Sequence, residues 1–326
     1  DGKHISYVDD TGLRMMDAKG KHEKTVFETW SPFNWVEYSW SPDSSWIAVT
    51  KWEDNARTDI FVVSTDGKKS VDITNDPHDC HTPLWSRDGK GLAFVSTKAD
   101  ITYSRLASTD IWYVSLQGEE HKNEEKIEID FDGIEDRAER ITYMPGNESS
   151  LAFSPDSQTL AFSATKDGKT EDLWIVNCDG SGLTQLTRGG VEPHNIQWNS
   201  KGNRIYFLDR KNIINRIDLN SGRSSPVFFT AKLTIDKKAE RIEIFNEAWG
   251  LLNNYFYDPN FHGVDWQGMK EKYERVASEV PDKTDFYDVI RLMIGELNAS
   301  HLALVPGGDS SNVQTGLFGL IFESRD

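Results

Sequence analysis

Two adjacent residues near the carboxyl end of the chain, Ser300 and His301, carry side chains that could do covalent chemistry together. A serine hydroxyl is a poor nucleophile near neutral pH; it needs a base within hydrogen-bond reach, and that base needs a third group to hold its tautomer. An imidazole titrating near neutrality suits the proton shuttle. On residue types alone, however, a Ser-His pair after a helix reads as a capping hydroxyl and an exposed ring. A second cluster, His78, Cys80 and His81 in PHDCHT, brings three metal-ligating types close together. It lacks a second ligand pair at zinc-type spacing, so no metal is assigned. No cofactor is implied either. GxGxxG and Walker patterns are missing, the Gly-Gly of TRGGVEPHN reads as turn geometry, and no GxSxG elbow of the α/β-hydrolase type occurs.

Most of the chain in front of Ser300 repeats one unit, which is seen most clearly as YSWSPDSSWIAVT from Tyr38. The same strand, turn and strand return as PLWSRDGKGLAFVS from Pro83, LAFSPDSQTLAFSAT from Leu151 and IQWNSKGNRIYFLD from Ile196, with a clipped DGKHISYV at Asp1. A period of roughly 40 to 45 residues carrying about four strands is that of a β-propeller blade, which must stack on neighbours to bury its faces. One interval, between the turns at Asp88 and Asp156, is longer and holds an insertion, Gln117 to Ser150. Its inner part, IEIDFDGIEDRAERIT, alternates like a strand pair and is expected to decorate a blade. Asp59, Asp110 and Asp172 recur in the third strand of successive repeats, where a carboxylate can accept backbone N–H groups of a turn. That is a structural role, because recurrence in every blade is a property of scaffolding.

The pattern changes after about Ile235. Phe245, Ala248, Trp249, Leu252, Tyr255 and Phe256 fall at helical spacing until Asp258-Pro259. Asp265 can cap a second helix with an inner face of Trp266, Met269, Tyr273, Val276 and Val280, ended by Pro281. A third helix from about Thr284 presents Phe286, Val289, Ile290, Met293 and Leu297. The expected fold is therefore mainly β: propeller blades over residues 1–234, in about five repeats, then a small α-helical subdomain over 235–306. Residues 307–326, with TGLFGLIFE, read as the start of a further module.

The formal charge of −17 argues against nucleic acid or an anionic membrane surface as the main partner. No apolar run approaches the roughly 18 to 20 residues of a membrane span. Cys80 and Cys178 make no disulfide framework. The chain opens inside a repeat turn without a Met, and is read as an internal segment of a longer polypeptide.

Propeller repeats of Ser-Pro-Asp type are shared by TolB-like proteins and prolyl-oligopeptidase relatives; the helical segment is more specific. Glu247-Ala248-Trp249, Tyr257-Asp258, His262-Gly263-Val264-Asp265-Trp266, and Glu296-Leu297 ahead of Ser300-His301 resemble the tricorn protease family, related to the tail-specific, carboxy-terminal processing peptidases. The IDFDGIEDR insertion is also similar to one in that family's second propeller, which implies later blades of a seven-bladed ring. The resemblance implies a serine peptidase acting on peptides or unfolded chains, with a Ser-His-Ser-Glu tetrad. In it His301 would be the general base and Ser300 the hydroxyl linking it to the glutamate; residues 307–326 would begin a PDZ-like module, and the nucleophile and glutamate would follow that module, outside these residues. It also implies a propeller that filters substrate, a homo-hexamer, and a cytoplasmic or else exported location. The acidity suggests a bias toward basic peptides. The competing expectation is a TolB-like propeller that binds a protein partner, with Ser300 and His301 incidental.

Overall fold

The computed structural model describes residues 2–9, 11–29, 36–53, 57–75, 77–98, 108–117, 127–166, 169–300 and 302–305. The chain divides into two compact units, Asp1–Phe229 and Thr230–Asp326.

The first unit consists of five antiparallel sheets, each made of strands consecutive in sequence. The first sheet has three strands, His4–Asp9, Gly12–Asp17 and Lys24–Glu28. The second follows as Tyr38–Trp40, Trp46–Trp52, Thr58–Ser64 and Ser70–Asp72. The third is Cys80–Trp85, Gly91–Ser96, Asp110–Ser115 and Ala138–Arg140. The fourth is Glu148–Phe153, Thr159–Thr165, Glu171–Asn177 and Thr184–Gln185. The fifth is His194–Trp198, Arg204–Leu208, Ile214–Asp218 and Arg223–Pro226. Apolar side chains bury between consecutive sheets: Ile60 and Val62 of the second pack with Leu92 and Phe94 of the third. Ala93 and Ile111 of the third pack with Phe162 of the fourth, and Leu173 of the fourth with Ile205 of the fifth. Each four-stranded meander thus needs a neighbour on both faces, as a propeller blade does.

The repeated turn explains why the sheets start where they do. In the second, third and fourth sheets a serine hydroxyl donates to the turn aspartate: Ser41 to Asp43 (2.7 Å), Ser86 to Asp88 (2.6 Å) and Ser154 to Asp156 (2.6 Å). The same hydroxyl accepts the amide opening the next strand, from Trp46, Gly91 and Thr159. In the fifth sheet Asn199 replaces the serine and accepts from the Asn203 and Arg204 amides. The recurrent aspartates are buried, and two of them act through a threonine. Thr74 Oγ1 donates to Asp59 (3.1 Å) and accepts the Ile60 amide; Thr187 Oγ1 donates to Asp172 (3.0 Å) and accepts the Leu173 amide.

The insertion after Gln117 departs from expectation, because the alternating stretch does not form a strand pair. The strand within that stretch, Ala138–Arg140, is the fourth strand of the third sheet, preceded by a 3-10 turn at Glu135–Arg137. Residues 127–131 alternate for another reason. They run extended over the second sheet, where the Ile127 amide donates to Asp43, Trp46 Nε1 donates to the Ile127 carbonyl, and Phe131 packs on Trp46. Period-two burial needs only an extended chain with one apolar face, with or without a ladder partner.

A stretch without secondary structure, 228–235, follows the last strand and leaves Phe228, Phe229 and Leu233 exposed. The second unit then folds as three helices, α1 (Lys237–Tyr255), α2 (Trp266–Glu279) and α3 (Lys283–Gly295). An aspartate caps each amino end, Asp236, Asp265 and Asp282, accepting backbone amides left unpaired by the first turn. Phe245, Trp266, Ala277, Phe286, Val289, Ile290, Met293 and Leu297 form the core. Two residues expected on inner faces, Tyr255 and Val276, are exposed instead. Leu252 and Phe256 take the inner face on either side of Tyr255, and Ala277 takes the buried position beside Val276.

Candidate functional site

The candidate site lies where α3 gives way to the Ser300 segment. Helix α3 ends at Gly295, and the chain leaves it through a turn in which Asn298 adopts φ +45°. Leu297 is fully buried in the helical core, and Leu302 and Leu304 return to the same core. The turn bearing Ser300 is consequently pinned on both sides, with Ser300 itself exposed. A shallow pocket of about 290 Å³ opens beside it, between Arg291, Ile294 and Gly295 of α3 and Ala299, Leu302 and Leu304. His301, the predicted general base, lies outside the described residues, as do residues 306–326.

Two polar clusters fix the carboxyl end of α3. Glu296 accepts from the Tyr273 hydroxyl (2.6 Å) and Lys272 Nζ (2.7 Å), and the lysine, more than the tyrosine, holds its carboxyl below the usual glutamate range. The second cluster comes from the turn after α1. Asp258 accepts the amides of Asn260 (2.9 Å) and His262 (2.8 Å), bonds that lower its pKa. The chain then takes three successive left-handed residues, Phe261, His262 and Gly263 (φ +49°, +55° and +81°). For Phe261 and His262 that conformation costs about 1 kcal/mol or more each, so the surroundings must hold it. An aromatic column does so, Phe256 on Phe261 (5.7 Å) and Phe261 on Trp266 (5.6 Å), with Trp249 stacked beyond. The result aims the His262 ring at the Leu297 carbonyl, 2.8 Å from Nδ1, with the Tyr257 hydroxyl on Nε2. A carbonyl oxygen only accepts, so Nδ1 carries the proton and Nε2 accepts from Tyr257.

The other clusters lie in the blades. Cys80 is buried at the start of its strand, with Sγ 3.3 Å from Ser96 Oγ, and His81 Nδ1 faces Thr82 Oγ1 at 3.3 Å. Among the described residues no three His, Cys, Asp or Glu side chains converge as a metal would require. At the seam of the third and fourth sheets, Asp110 Oδ2 takes Arg140 Nη2 at 2.8 Å. Glu148, 2% exposed, sits in the same surroundings with neither carboxylate oxygen hydrogen-bonded among the described residues. Burial first, and then the charge of Asp110, push Glu148 up to about 9 in spite of Arg140. Sequence reasoning missed this group because Asp110 was read with its two counterparts, while Arg140 and Glu148 both lie within the insertion. It gave His262 no role beyond its place in a matching stretch, since the Leu297 carbonyl is 35 residues away and no local pattern links them.

Residues 237–295, that is α1 to α3, match the tricorn protease C1 domain. The chain is 31% identical to tricorn protease homolog 1 of Streptomyces coelicolor over 86% of its own length and 31% of the relative. It is 25% identical to a tricorn-like protease C-terminal subunit of Sulfurisphaera tokodaii, over 92% of itself and 36% of that protein. It thus spans about a third of the length of these relatives. The crystal structure of the tricorn protease has the same fold over 92% of this chain and 32% of that one, with a TM-score of 0.73 at 15% identity. In its C1 helices and over most of its own length, the chain is similar to members of the tricorn protease family.

Proposed function

We propose that these residues are the propeller and C1 part of a tricorn-like serine peptidase that hydrolyses peptides or unfolded polypeptides. His301 is the general base and Ser300 the hydroxyl that ties it to a glutamate; the nucleophilic serine and that glutamate come from outside residues 1–326. The observation that carries the reading is the C1 match over α1 to α3, directly ahead of the Ser-His pair. It is supported by the placement of Ser300, exposed on a turn whose flanks, Leu297 and Leu302, sit in the C1 core. A base of this kind takes the proton from a serine hydroxyl and returns it to the leaving amine, and it depends on a partner that keeps its ring oriented.

In this reading the blades filter substrate, the net charge of −17 favours basic peptides at the opening, and the enzyme assembles as a homo-hexamer in the cytoplasm. Nothing in the chain is asked to bind nucleic acid, membrane or a cofactor. The deciding experiment labels the complete gene product with a serine-directed fluorophosphonate, comparing wild type with His301→Ala. Labelling that disappears in the variant supports the reading, and labelling indifferent to it removes His301 from the mechanism. Residues 1–326 alone should hydrolyse no fluorogenic peptide. Turnover by that segment, abolished by His301→Ala, would contradict the division of the tetrad.

A further inference from the structure

We infer that His262 is a positioning residue for this peptidase, fixing the turn that carries Ser300 through the Leu297 carbonyl; the inference rests on the peptidase reading above. Leu297 lies in the turn just past the Glu296 cap of α3, where a backbone carbonyl needs a donor from outside the helix, and a side-chain N–H can supply it. Here the donor comes from a distant turn. His262 Nδ1 lies 2.8 Å from the carbonyl of Leu297, three positions before Ser300. The Leu297 side chain is fully buried among α3 and its neighbours, so its carbonyl is the polar handle by which the exit of the helix can be set.

The ring has little freedom of its own. Phe256 meets it edge-on at 5.3 Å, the Tyr257 hydroxyl occupies Nε2, and the Asp258 carboxylate stands 4.0 Å from Nε2 while accepting the His262 amide. These are the charged or titratable groups facing it among the described residues, and each belongs to the same turn. Among the described contacts of the ring, the Nδ1 one reaches the turn that leaves α3. The turn also spends a left-handed Phe261 and a left-handed His262 to present that nitrogen, and strain of this sort persists only where the surroundings over-determine it. A displacement of the catalytic groups by about 1 Å can lower turnover by about a hundredfold, so a fixed exit from α3 has direct value to the pair that follows it.

The side-chain chemistry gives a selective test in the complete gene product. Asparagine places an amide N–H where histidine has Nδ1 and tolerates φ near +55°. Glutamine reaches the Nε2 position and leaves Leu297 without its donor, and glycine keeps the backbone while removing the ring. His262→Gly and His262→Gln are expected to lower kcat about ten- to a hundredfold with KM within about twofold. His262→Asn should stay within about threefold of wild type by the same geometric argument. The acid limb of the pH profile should keep its position in all three, because the titrating base is another residue.

A His262→Gly variant with wild-type kcat overturns the inference, as does a His262→Asn variant as slow as His262→Gly. An acid limb that vanishes with the ring overturns it too, by making His262 the base. If wild type hydrolyses no peptide, or His301→Ala hydrolyses it at the wild-type rate, the peptidase reading falls first. The contact is then judged on its own from the ¹⁵N spectrum of histidine-labelled chain. A fixed Nδ1–H tautomer, assigned by its loss in His262→Asn, sustains the contact, and a tautomer-averaged signal refutes it.

Discussion

The blades and the helical unit hold their polar groups in opposite ways. In the blades one arrangement is used again and again: a serine or asparagine bridging turn and strand, and a buried aspartate reached through a threonine. In the helical unit the aspartate caps recur on all three helices, but the contacts that tie one element to another are each of their own kind. Tyr273 and Lys272 converge on Glu296, and His262 reaches Leu297. Repetition marks what a fold needs in every unit, whereas a contact made once, across a long sequence separation, marks a place where position itself is used. The Glu148 seam is the exception within the blades, a single departure where the third repeat was lengthened.

The comparison breaks most sharply if the unrepeated unit proves dispensable. His301→Ala in the complete gene product should lower peptide turnover at least about a thousandfold, measured with a fluorogenic peptide. Next in size is the helical core. Phe286→Ala should cost about 3–5 kcal/mol of the stability of that unit, read by calorimetry as a lowered helical transition, with the blade transition in place. Thr187→Val leaves Asp172 and the Leu173 amide without their shared partner and should cost about 1–3 kcal/mol. The matching change at Thr74 should cost a similar amount by chemical denaturation, and unequal costs would mean the repeats are not energetically equivalent.

Glu148 sharpens the comparison through pH. Its folded pKa of about 9 lies above the ordinary value of 4.5, so the folded chain holds this proton more tightly than the unfolded one. Stability contributed by that proton is complete below about pH 4.5 and is lost as pH rises toward about 9. Glu148→Gln should therefore flatten the loss and raise stability at pH 8 by about 1–3 kcal/mol, seen as a higher melting temperature than wild type. Asp110, also raised by burial, leaves a residual slope of the same sign. An unchanged pH dependence would mean that Glu148 is ionised in the fold.

The blades were legible because their turn residues are local: Ser, Pro, Asp and Gly act within five positions of one another, and the sequence prints them in order. The helices were legible from apolar spacing and from Asp265, whose capping bond to the Gly268 amide spans a single turn. Misreadings began where burial came from elsewhere in the chain. Residues 127–131 alternate because of Trp46 and Asp43, not because of a paired strand. At the candidate site, Ser300 and His301 were singled out by resemblance, since two polar residues after a helix carry no pattern of their own. His262 acquired meaning only when folding brought Leu297 to it.

The stretch 228–235 has a consequence of another kind. It contributes no strand and no helix, and its four large apolar side chains, Phe228, Phe229, Leu233 and Ile235, are exposed, so a breakpoint in the gene at this place would sever neither a blade nor the Asp236 cap of α1. Such a joint lets a β-propeller and a three-helix head be inherited, duplicated or exchanged as separate pieces, and lineages that shuffle one against the other need to invent no new core.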